Sequence, residues 1–328
     1  MSVRVAVIGC GAWGENLVRA FASNLRADVV AVADSSPARL ERAAAIAPRA
    51  RRVPSLDDAL ALGVDAVVIA TPPPTHAELV LRALDAGADV LVEKPLALGP
   101  ADAERCAARA AALGRIGMVG HLLRYHPAVV RALELAAEGH LGEIVGFGAT
   151  RLSTHAAHAG GASIDSSAAA LWALGPHDLS VLGALDPSPV REVVAEPSGE
   201  RLRLSVRLES GLGARLELGR GSPAKERRLR ITGTARIALL DDVHTPDRVL
   251  LARAARGTTR AGGPLSVEQN IRVPWREPLA VEVEHFLHCV EERARPLTPL
   301  EEGVAVVRVL ARAAAAHARP AALAASAL

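Results

Sequence analysis

The sequence predicts an α/β protein with an N-terminal doubly wound parallel sheet, followed by an α+β domain with an open, mostly antiparallel sheet. Over the first 120 residues, short and nearly continuous apolar runs alternate with amphipathic helical patterns, which is typical of parallel strands covered on both faces. Beyond residue 121, short segments of alternating apolar and polar residues follow one another between turn residues, which indicates mostly antiparallel strands. The length of 328 residues is enough for two domains, and we place them at residues 1–121 and 122–328.

The elements of the first domain follow from its apolar runs and from the glycines that end two helical patterns. Strands are predicted at residues 3–8, 29–33, 66–70, 90–92 and 116–120. Helices are predicted at residues 15–24, 36–46, 75–86 and 100–113. Gly87 and Gly114 mark the ends of the last two helices, since glycine commonly follows a helix C-terminus.

The second domain is predicted to begin and end with helices, with strands between them. The helices are placed at residues 128–138, 279–293 and 300–316. The strands are placed at residues 144–152, 201–208, 214–219, 228–232 and 236–240. Residues 253–266 contain several glycines and a proline, and they are predicted to form a loop.

The composition argues against several classes of protein. Lysine and arginine together number 38 against 36 aspartates and glutamates, and this near-balance does not favour a nucleic-acid binder. No apolar run reaches the roughly 18–20 residues of a membrane span, and glycines interrupt the N-terminal apolar run early, unlike in a signal peptide. The three cysteines are scattered and odd in number, which favours a reducing compartment. We therefore expect a cytoplasmic protein that binds neither nucleic acid nor a membrane.

A glycine-rich sequence, Gly9-x-Gly11-x-x-Gly14, follows the first predicted strand directly, and Asp34 ends the second strand. This arrangement indicates a Rossmann domain, because the glycines let the backbone approach a dinucleotide pyrophosphate and the helix N-terminus attracts that anion. Asp34 would accept hydrogen bonds from the adenosine ribose and repel a 2′-phosphate, so NAD is favoured over NADP. Ser35 and Ser36 keep NADP open as an alternative. The cofactor-binding residues predicted here are Gly9, Gly11, Ala12, Trp13, Gly14, Asp34 and Ser35.

Two further segments are predicted to border the cofactor, because ligands of open parallel sheets lie beyond the carboxyl ends of the strands. Residues 71–76 follow the strand at 66–70, and Thr75 is expected to cap the next helix. Residues 93–95 follow the strand at 90–92. For His76, the alternative is that it is an ordinary residue of the first helical turn and does not contact the cofactor. The cofactor-binding residues predicted here are Thr71, Pro72, Thr75, His76, Glu93, Lys94 and Pro95.

Lys94 is interpreted as a catalytic residue. Lys94 and Lys225 are the only lysines in a chain that otherwise uses arginine as its cation. An ammonium can release its proton when it is buried, whereas a guanidinium stays charged. A Glu93-Lys94 pair at the end of an apolar strand is costly to bury unless it is paired or used. The alternative is a surface ion pair at a strand exit.

Together these motifs resemble the GFO/IDH/MocA family of oxidoreductases. The resemblance covers most of the chain and is weakest over residues 156–167 and 253–267. Beyond the motifs above, it rests on residues 120–129, 151–152, 171–179, 275–289, 296–298 and 301–303. It implies a two-domain fold with the active site between the Rossmann domain and the open sheet, and it implies that His177 is the catalytic histidine.

Within the family, residues 121–128 and 171–178 are most similar to the dehydrogenases that oxidise C3 of UDP-N-acetylglucosamine or of its uronic acid. One departure from the broader family is Ala173, where many members have an aspartate four residues before the catalytic histidine. The resemblance therefore implies NAD-dependent oxidation of a sugar hydroxyl to a ketone by hydride transfer, with proton handling by His177 and Lys94. His177 is expected to be the base and Lys94 the orienting acid, and the reverse assignment is left open.

Several residues near these motifs are candidates for contact with the substrate. Arginine recognises carboxylates and diphosphates, although arginine is common throughout this chain. The substrate-binding residues predicted are Arg124, Tyr125, His126, Arg151 and Asp178.

Two other functions remain open at the level of sequence. One is an NADP-dependent 3-ketosugar reductase acting on a dTDP-deoxysugar, and the other is a non-catalytic dinucleotide-sensing regulator, which would not need Lys94 and His177. No metal is expected, because the histidine pairs at 155 and 158 and at 285 and 288 lack other ligands at zinc spacing. The expected partners are a nucleotide-sugar or related carbohydrate, and further copies of the chain in a homodimer or homotetramer through the C-terminal sheet.

Overall fold

A computed structural model of the chain describes residues 2–154, 166–198, 200–254 and 265–325, and its contacts divide the chain into two compact units. The first unit comprises Met1–Tyr125 and Glu277–Arg308, and the second comprises His126–Arg276 and Val309–Leu328. This grouping differs from the predicted domains in that residues 277–308 belong with the N-terminal unit. The boundary at residue 121 remains a prediction.

The elements are numbered in chain order. The helices are α1 (Ala12–Ala22), α2 (Pro37–Ile46), α3 (Leu56–Leu60), α4 (His76–Asp85), α5 (Pro100–Leu113), α6 (Pro127–Ala137), α7 (Ser166–Leu185), α8 (Pro278–Glu292) and α9 (Leu300–Ala325). The strands are β1 (Val3–Ile8), β2 (Ala27–Ala33), β3 (Arg51–Val53), β4 (Ala66–Ile69), β5 (Asp89–Glu93), β6 (Gly117–Gly120), β7 (Ile144–Ser153), β8 (Val190–Ser198), β9 (Arg201–Leu208), β10 (Gly213–Arg220), β11 (Glu226–Gly233), β12 (Ile237–Asp241), β13 (Thr245–Ala254) and β14 (Leu265–Arg272).

In the first unit, strands β1–β6 form one parallel sheet in the order β3-β2-β1-β4-β5-β6. The chain adds β2 and β3 on one side of β1, and then β4, β5 and β6 on the other side. This is the doubly wound sheet that the sequence predicts. The strand order reverses between β1 and β4. In such sheets, ligands bind beyond the carboxyl ends of the strands at this point.

Helices cover both faces of the parallel sheet. On one face α1 and α8 meet, and the rings of Phe21 and Phe286 pack edge to face with centroids 6.2 Å apart. Val283 of α8 is fully buried in the same apolar cluster as the β1 side chains. On the other face, Leu84 and Val307 belong to a second buried cluster. Because α8 completes the core that α1 begins, residues 277–308 group with the N-terminal unit.

The second unit contains an eight-stranded sheet in the order β14-β13-β12-β11-β7-β10-β9-β8. Strands β7 and β10 are parallel, and the other neighbouring pairs are antiparallel. In β9, Leu202, Leu204, Val206 and Leu208 are buried while the residues between them are exposed. Helix α7 packs against β9 and β10. The predicted fold class is confirmed for both sheets.

The apolar and helical patterns did not predict β3, α3, β8, β13 and β14. They did not predict α7 either, for which only the family resemblance implied a helix, at residues 171–179. The predicted loop at 253–266 is also too long, since β13 continues to Ala254 and β14 begins at Leu265. The residues between these strands lie outside the described part of the chain. Across the described ranges, no helix combines the length and the apolar character needed to cross a membrane.

Candidate functional site

Two glycines of the motif after β1, Gly9 in the turn and Gly14 in α1, are required by the fold. Gly9 has φ of +92°, and a Cβ there would lie 2.7 Å from the backbone of Ala70 at the end of β4. A Cβ on Gly14 would lie 1.9 Å from the carbonyl oxygen of Gly9. Any larger residue at either position would force the strand, the turn and α1 apart.

Gly11, in contrast, has no packing reason to be glycine. Its φ of −69° suits any residue, and a Cβ there would meet no heavy atom of the described chain within 4 Å. Gly11 is also the N-cap residue of α1, and a helix leaves the N–H groups of its first turn, here beginning with Ala12 and Trp13, without intrahelical partners. These features form an open cradle with partial positive charge, which fits the pyrophosphate of a dinucleotide.

Asp34 follows β2, and its side chain is 6% exposed. Its Oδ2 accepts a hydrogen bond from the N–H of Cys10, and its Oδ1 accepts one from the N–H of Ser36, both at 2.8 Å. Each carboxylate oxygen can accept a second bond, so Asp34 fits a ribose hydroxyl. Arg39 Nη1 lies 3.7 Å from Asp34 Oδ2 and is half exposed, and an arginine in this position is able to accommodate a 2′-phosphate. Ser35 is exposed.

The loop after β4 holds a 3₁₀ helix, Pro73–Thr75, that leads into α4. Thr75 occupies the N-cap position of α4, but its hydroxyl donates to the carbonyl of Pro72 at 2.8 Å and makes no capping bond. The predicted cap is therefore wrong, because the backbone of Thr75 is already helical (φ −97°, ψ −9°), whereas a capping residue has an extended backbone that turns its oxygen toward the N–H groups of the first turn. Thr71 Oγ1 lies 2.7 Å from Thr75 Oγ1. His76 is 1% exposed, with Nδ1 2.8 Å from the carbonyl oxygen of Pro95 and Nε2 2.8 Å from that of Thr71.

The end of β5 carries a buried carboxylate beside the candidate lysine. Glu93 Oε1 accepts a hydrogen bond from the indole N–H of Trp13, and Oε2 accepts one from the backbone N–H of Lys94 at 3.2 Å. Burial raises the pKa of Glu93, and the positive charge of Lys94 opposes this shift. Lys94 is half-buried, and the peptide bond to Pro95 is cis. Through Trp13, the glycine turn and the end of β5 are joined at one edge of the sheet.

A second buried carboxyl group, Glu282 of α8, lies within electrostatic reach of Glu93. Its side chain is fully buried, and among the described residues neither of its oxygens has a hydrogen-bond partner. Burial, reinforced by the charge of Glu93, raises the pKa of Glu282 well above its ordinary value. Both effects favour the neutral acid over the carboxylate.

The segment after β6 is held by contacts from residues near the start of α9. Glu302 Oε1 lies 2.8 Å from Nδ1 of the buried His121, and Arg124 donates to Glu302 Oε2 at 2.5 Å. The hydroxyl of Tyr125 lies 2.9 Å from Thr298 Oγ1. The structure therefore places Arg124 and Tyr125, both predicted to bind substrate, inside the first unit with protein groups as partners.

In the second unit, a buried ion pair joins β7 to α7. Arg151 donates to both oxygens of Asp178, at 2.9 and 2.8 Å, and Asp178 is fully buried. Burial alone would lower the pKa of Arg151, but the charge of Asp178, its hydrogen bonds and the charge of Asp242 together outweigh burial and raise the pKa. His177, half-buried, directly precedes Asp178 on α7. His126 is 3% exposed, with Nε2 3.1 Å from Asp242 Oδ1.

Within the described ranges, no group of three or more His, Cys, Asp and Glu side chains is arranged to hold a metal ion. His285 Nε2 accepts the backbone N–H of Leu297 at 2.8 Å, so this nitrogen already has a protein partner. His155 and His158 lie outside the described residues.

The sequence analysis did not single out His121, Glu302 or Glu282 as candidate site residues. His121 directly follows the strand at 116–120, so the rule that strand ends border the site could have found it. Glu302 and Glu282 carry no such signal, since a glutamate in an amphipathic helix looks the same whether its side chain faces solvent or the core.

A doubly wound parallel sheet, with a glycine cradle after β1 and an acidic residue after β2, defines a nucleotide-binding protein of the Rossmann class. Comparison with known families is consistent with this class. Residues 3–121 match the GFO/IDH/MocA model, described as an oxidoreductase family with an NAD-binding Rossmann fold.

Relatives extend the match beyond the first domain. UDP-N-acetylglucosamine 3-dehydrogenase of Acidithiobacillus ferrooxidans is 30% identical over 321 residues, which is 95% of each chain. A solved structure of UDP-N-acetylglucosamine 3-dehydrogenase GnnA from that species has a TM-score of 0.81 and 25% identity, and the match covers 97% of this chain and 98% of that one. Inositol 2-dehydrogenase 1 of Saccharopolyspora erythraea is 38% identical over 152 residues, a match spanning 44% of each chain and thus less than half of that relative. This chain therefore belongs to the GFO/IDH/MocA family of oxidoreductases.

Proposed function

We propose that this chain is an NAD-dependent dehydrogenase that oxidises the C3 hydroxyl of a UDP-N-acetylhexosamine, or of its uronic acid, to a ketone. The observation that carries the proposal is the placement of Lys94. It directly follows β5, and Glu93, the last residue of β5, accepts a hydrogen bond from Trp13 in the first turn of α1. The 30% identity to a UDP-N-acetylglucosamine 3-dehydrogenase over 95% of each chain supports the choice of substrate.

The residues around the glycine turn would hold the cofactor. The N–H groups at the start of α1 would bind the pyrophosphate, and Asp34 would accept hydrogen bonds from the adenosine ribose. Bound NAD supplies the hydride acceptor of the reaction. NAD is proposed over NADP because the Asp34 carboxylate repels a 2′-phosphate, although Arg39 beside it reduces this repulsion.

Oxidation of the sugar hydroxyl releases a proton, which a side chain of the protein must accept. We assign His177 as the base, because the ordinary pKa of an imidazole is close to neutral pH. Lys94 acts as the orienting cation that stabilises the developing alkoxide. The buried Arg151–Asp178 pair holds α7 against β7 and thereby positions His177. Arg124, Tyr125 and His126 are buried and bonded to protein groups. We propose that they shape the substrate site and do not bind the substrate directly.

The proposal is tested by mixing the protein with UDP-N-acetylglucosamine, or its uronic acid, and NAD under anaerobic conditions and following NADH absorbance. The expected result is NADH formation with a 3-keto product identified by mass spectrometry. Oxidation of NADPH with a dTDP-3-keto sugar, and no reaction in the first assay, would instead favour the reductase. Binding of a dinucleotide without turnover of any UDP- or dTDP-sugar in either direction would favour a non-catalytic regulator.

We also propose that a second copy covers one face of the eight-stranded sheet. A depression of about 760 Å³ on this sheet is lined by side chains of both signs, including Arg203, Arg215, Glu217, Arg230 and Asp241. Opposite charges on one face allow it to pair with itself across a two-fold axis. Sedimentation analysis is expected to show a dimer or tetramer that Arg230→Glu weakens, and a monomer at all concentrations would refute this proposal.

A further inference from the structure

His76 lies between two loops that are both predicted to border the cofactor. It is the first residue of α4, and its side chain is almost fully buried. Its Nδ1 lies 2.8 Å from the carbonyl oxygen of Pro95, directly after Lys94, and its Nε2 lies 2.8 Å from the carbonyl oxygen of Thr71. One imidazole therefore spans from the loop after β4 to the loop after β5.

Both partners of the ring are carbonyl oxygens, which only accept hydrogen bonds. A neutral imidazole has a single N–H, so it makes one of the two bonds, whereas the protonated ring makes both. Burial lowers the pKa of His76, the carbonyls of Pro95 and Thr71 oppose this shift, and the positive charge of Lys94 adds to the lowering. The facing ionisable groups are Lys94 and, through its backbone carbonyl, Glu93.

The two loops that the ring joins leave neighbouring strands. Strands β4 and β5 are paired in parallel, with Ile69 opposite Val92, so residues 71 and 95 depart from the same edge of the sheet. Pro95 is buried, and a buried carbonyl without a hydrogen-bond partner is costly. With its proton on Nδ1, the neutral imidazole donates to the more deeply buried of its two partners, the carbonyl of Pro95, and fixes the backbone on the C-terminal side of Lys94. On the N-terminal side, the backbone N–H of Lys94 donates to Glu93.

We infer that His76 is a positioning residue for Lys94, holding the backbone after the lysine to the loop after β4, and not a ligand of the cofactor. This role rests on the proposed function, since it places the ammonium for the reaction on the sugar hydroxyl. Both ring nitrogens are already directed at protein carbonyls, which leaves neither nitrogen for a bound dinucleotide.

The test compares His76→Phe, which keeps a buried ring without hydrogen bonds, with His76→Gln, which restores one donor. His288→Gln, at an exposed position of α8, is the matched control. In His76→Phe we expect kcat for the UDP-sugar to fall on the order of 10²-fold, as a misplaced reacting group predicts. The dissociation constant of NAD should stay close to that of the wild-type protein, and His76→Gln should recover part of the lost kcat. An unchanged kcat in His76→Phe, or a loss of NAD affinity as large as the loss of kcat, would overturn the inference.

Hydrogen–deuterium exchange measured on the same proteins without substrate gives a readout independent of activity. The cross-link predicts faster exchange of the backbone amides in residues 71–76 and 94–98 of His76→Phe, and unchanged exchange there would overturn it. If the wild-type protein turns over no sugar, the proposed function fails and the role toward Lys94 fails with it. If the wild-type protein is active and His76→Phe is equally active, the inference alone fails.

Discussion

The pairing of Arg151 with Asp178 gives a prediction that separates two roles for this arginine. Sequence reasoning places Arg151 against a carboxylate or diphosphate of the substrate, whereas the structure shows both oxygens of Asp178 accepting from it. Asp178 is 0% exposed and Arg151 is 6% exposed. In Arg151→Ala the carboxylate would stay buried without its cation.

Removing one partner of a buried ion pair costs about 3–5 kcal/mol, because the remaining charge is left uncompensated. We therefore expect the free energy of unfolding, measured by urea titration, to fall by about this amount in Arg151→Ala. Replacing both partners in the double variant Arg151→Met, Asp178→Leu should restore most of the loss, since no buried charge remains.

A substrate-binding arginine would behave differently in the same experiment. Substitutions without a structural role usually change stability by no more than about 0.5 kcal/mol. If Arg151→Ala unfolds at the wild-type urea concentration and differs only by a raised KM for the nucleotide-sugar, the structural reading of this pair is refuted.

Three further predictions concern substitutions of individual residues. Gly14→Ala should misfold, because its Cβ would lie 1.9 Å from the Gly9 carbonyl oxygen, whereas Gly11→Ala should keep wild-type circular dichroism and lose NAD affinity by calorimetry; equal behaviour of the two variants would contradict the cradle. Asp34→Ser should raise the ratio of kcat/KM with NADP to that with NAD, and an unchanged ratio would show that Asp34 does not select the cofactor. The pKa of Glu282 is raised in the folded protein, so its contribution to stability is lost as pH rises above the unfolded value near 4.5, by up to about 1.4 kcal/mol per pH unit. Glu282→Met should therefore be more stable than the wild-type protein at pH 8, and this difference in stability should be smaller at pH 5. A difference in urea unfolding that does not change with pH would contradict the raised pKa of Glu282.

The strands that sequence analysis found and those it missed differ in their position within the sheets. Strands β1, β4 and β5 are covered on both faces, so they read as continuous apolar runs, and the buried face of β9 gives a clear alternation. Three of the four missed strands, β3, β8 and β14, are edge strands, whereas the fourth, β13, lies between β12 and β14. Edge strands have few buried positions, and β14 is exposed along most of its length, so hydrophobic periodicity cannot reveal them.

The candidate site divides in the same way between local and long-range features. The cofactor cradle depends on residues close in sequence, and the structure agrees with the motif at Gly9 and Gly14. Pairings such as that of His121 with Glu302, 181 residues apart, depend on which helix packs on which strand end. The amphipathic pattern of α8 predicts a buried face but does not say which sheet covers it, which is why its grouping with the N-terminal unit was not foreseen.

The catalytic roles of Lys94 and His177 are tested most directly by comparing the wild-type protein with Lys94→Ala and His177→Ala, measuring both NAD binding and single-turnover NADH formation with UDP-N-acetylglucosamine. If Lys94 and His177 handle the proton, both variants still bind NAD while the rate of NADH formation falls by about 10²–10⁴-fold, the range expected when a proton-handling group is removed. Rates close to that of the wild-type protein in both variants would contradict the assignment of Lys94 and His177 to catalysis.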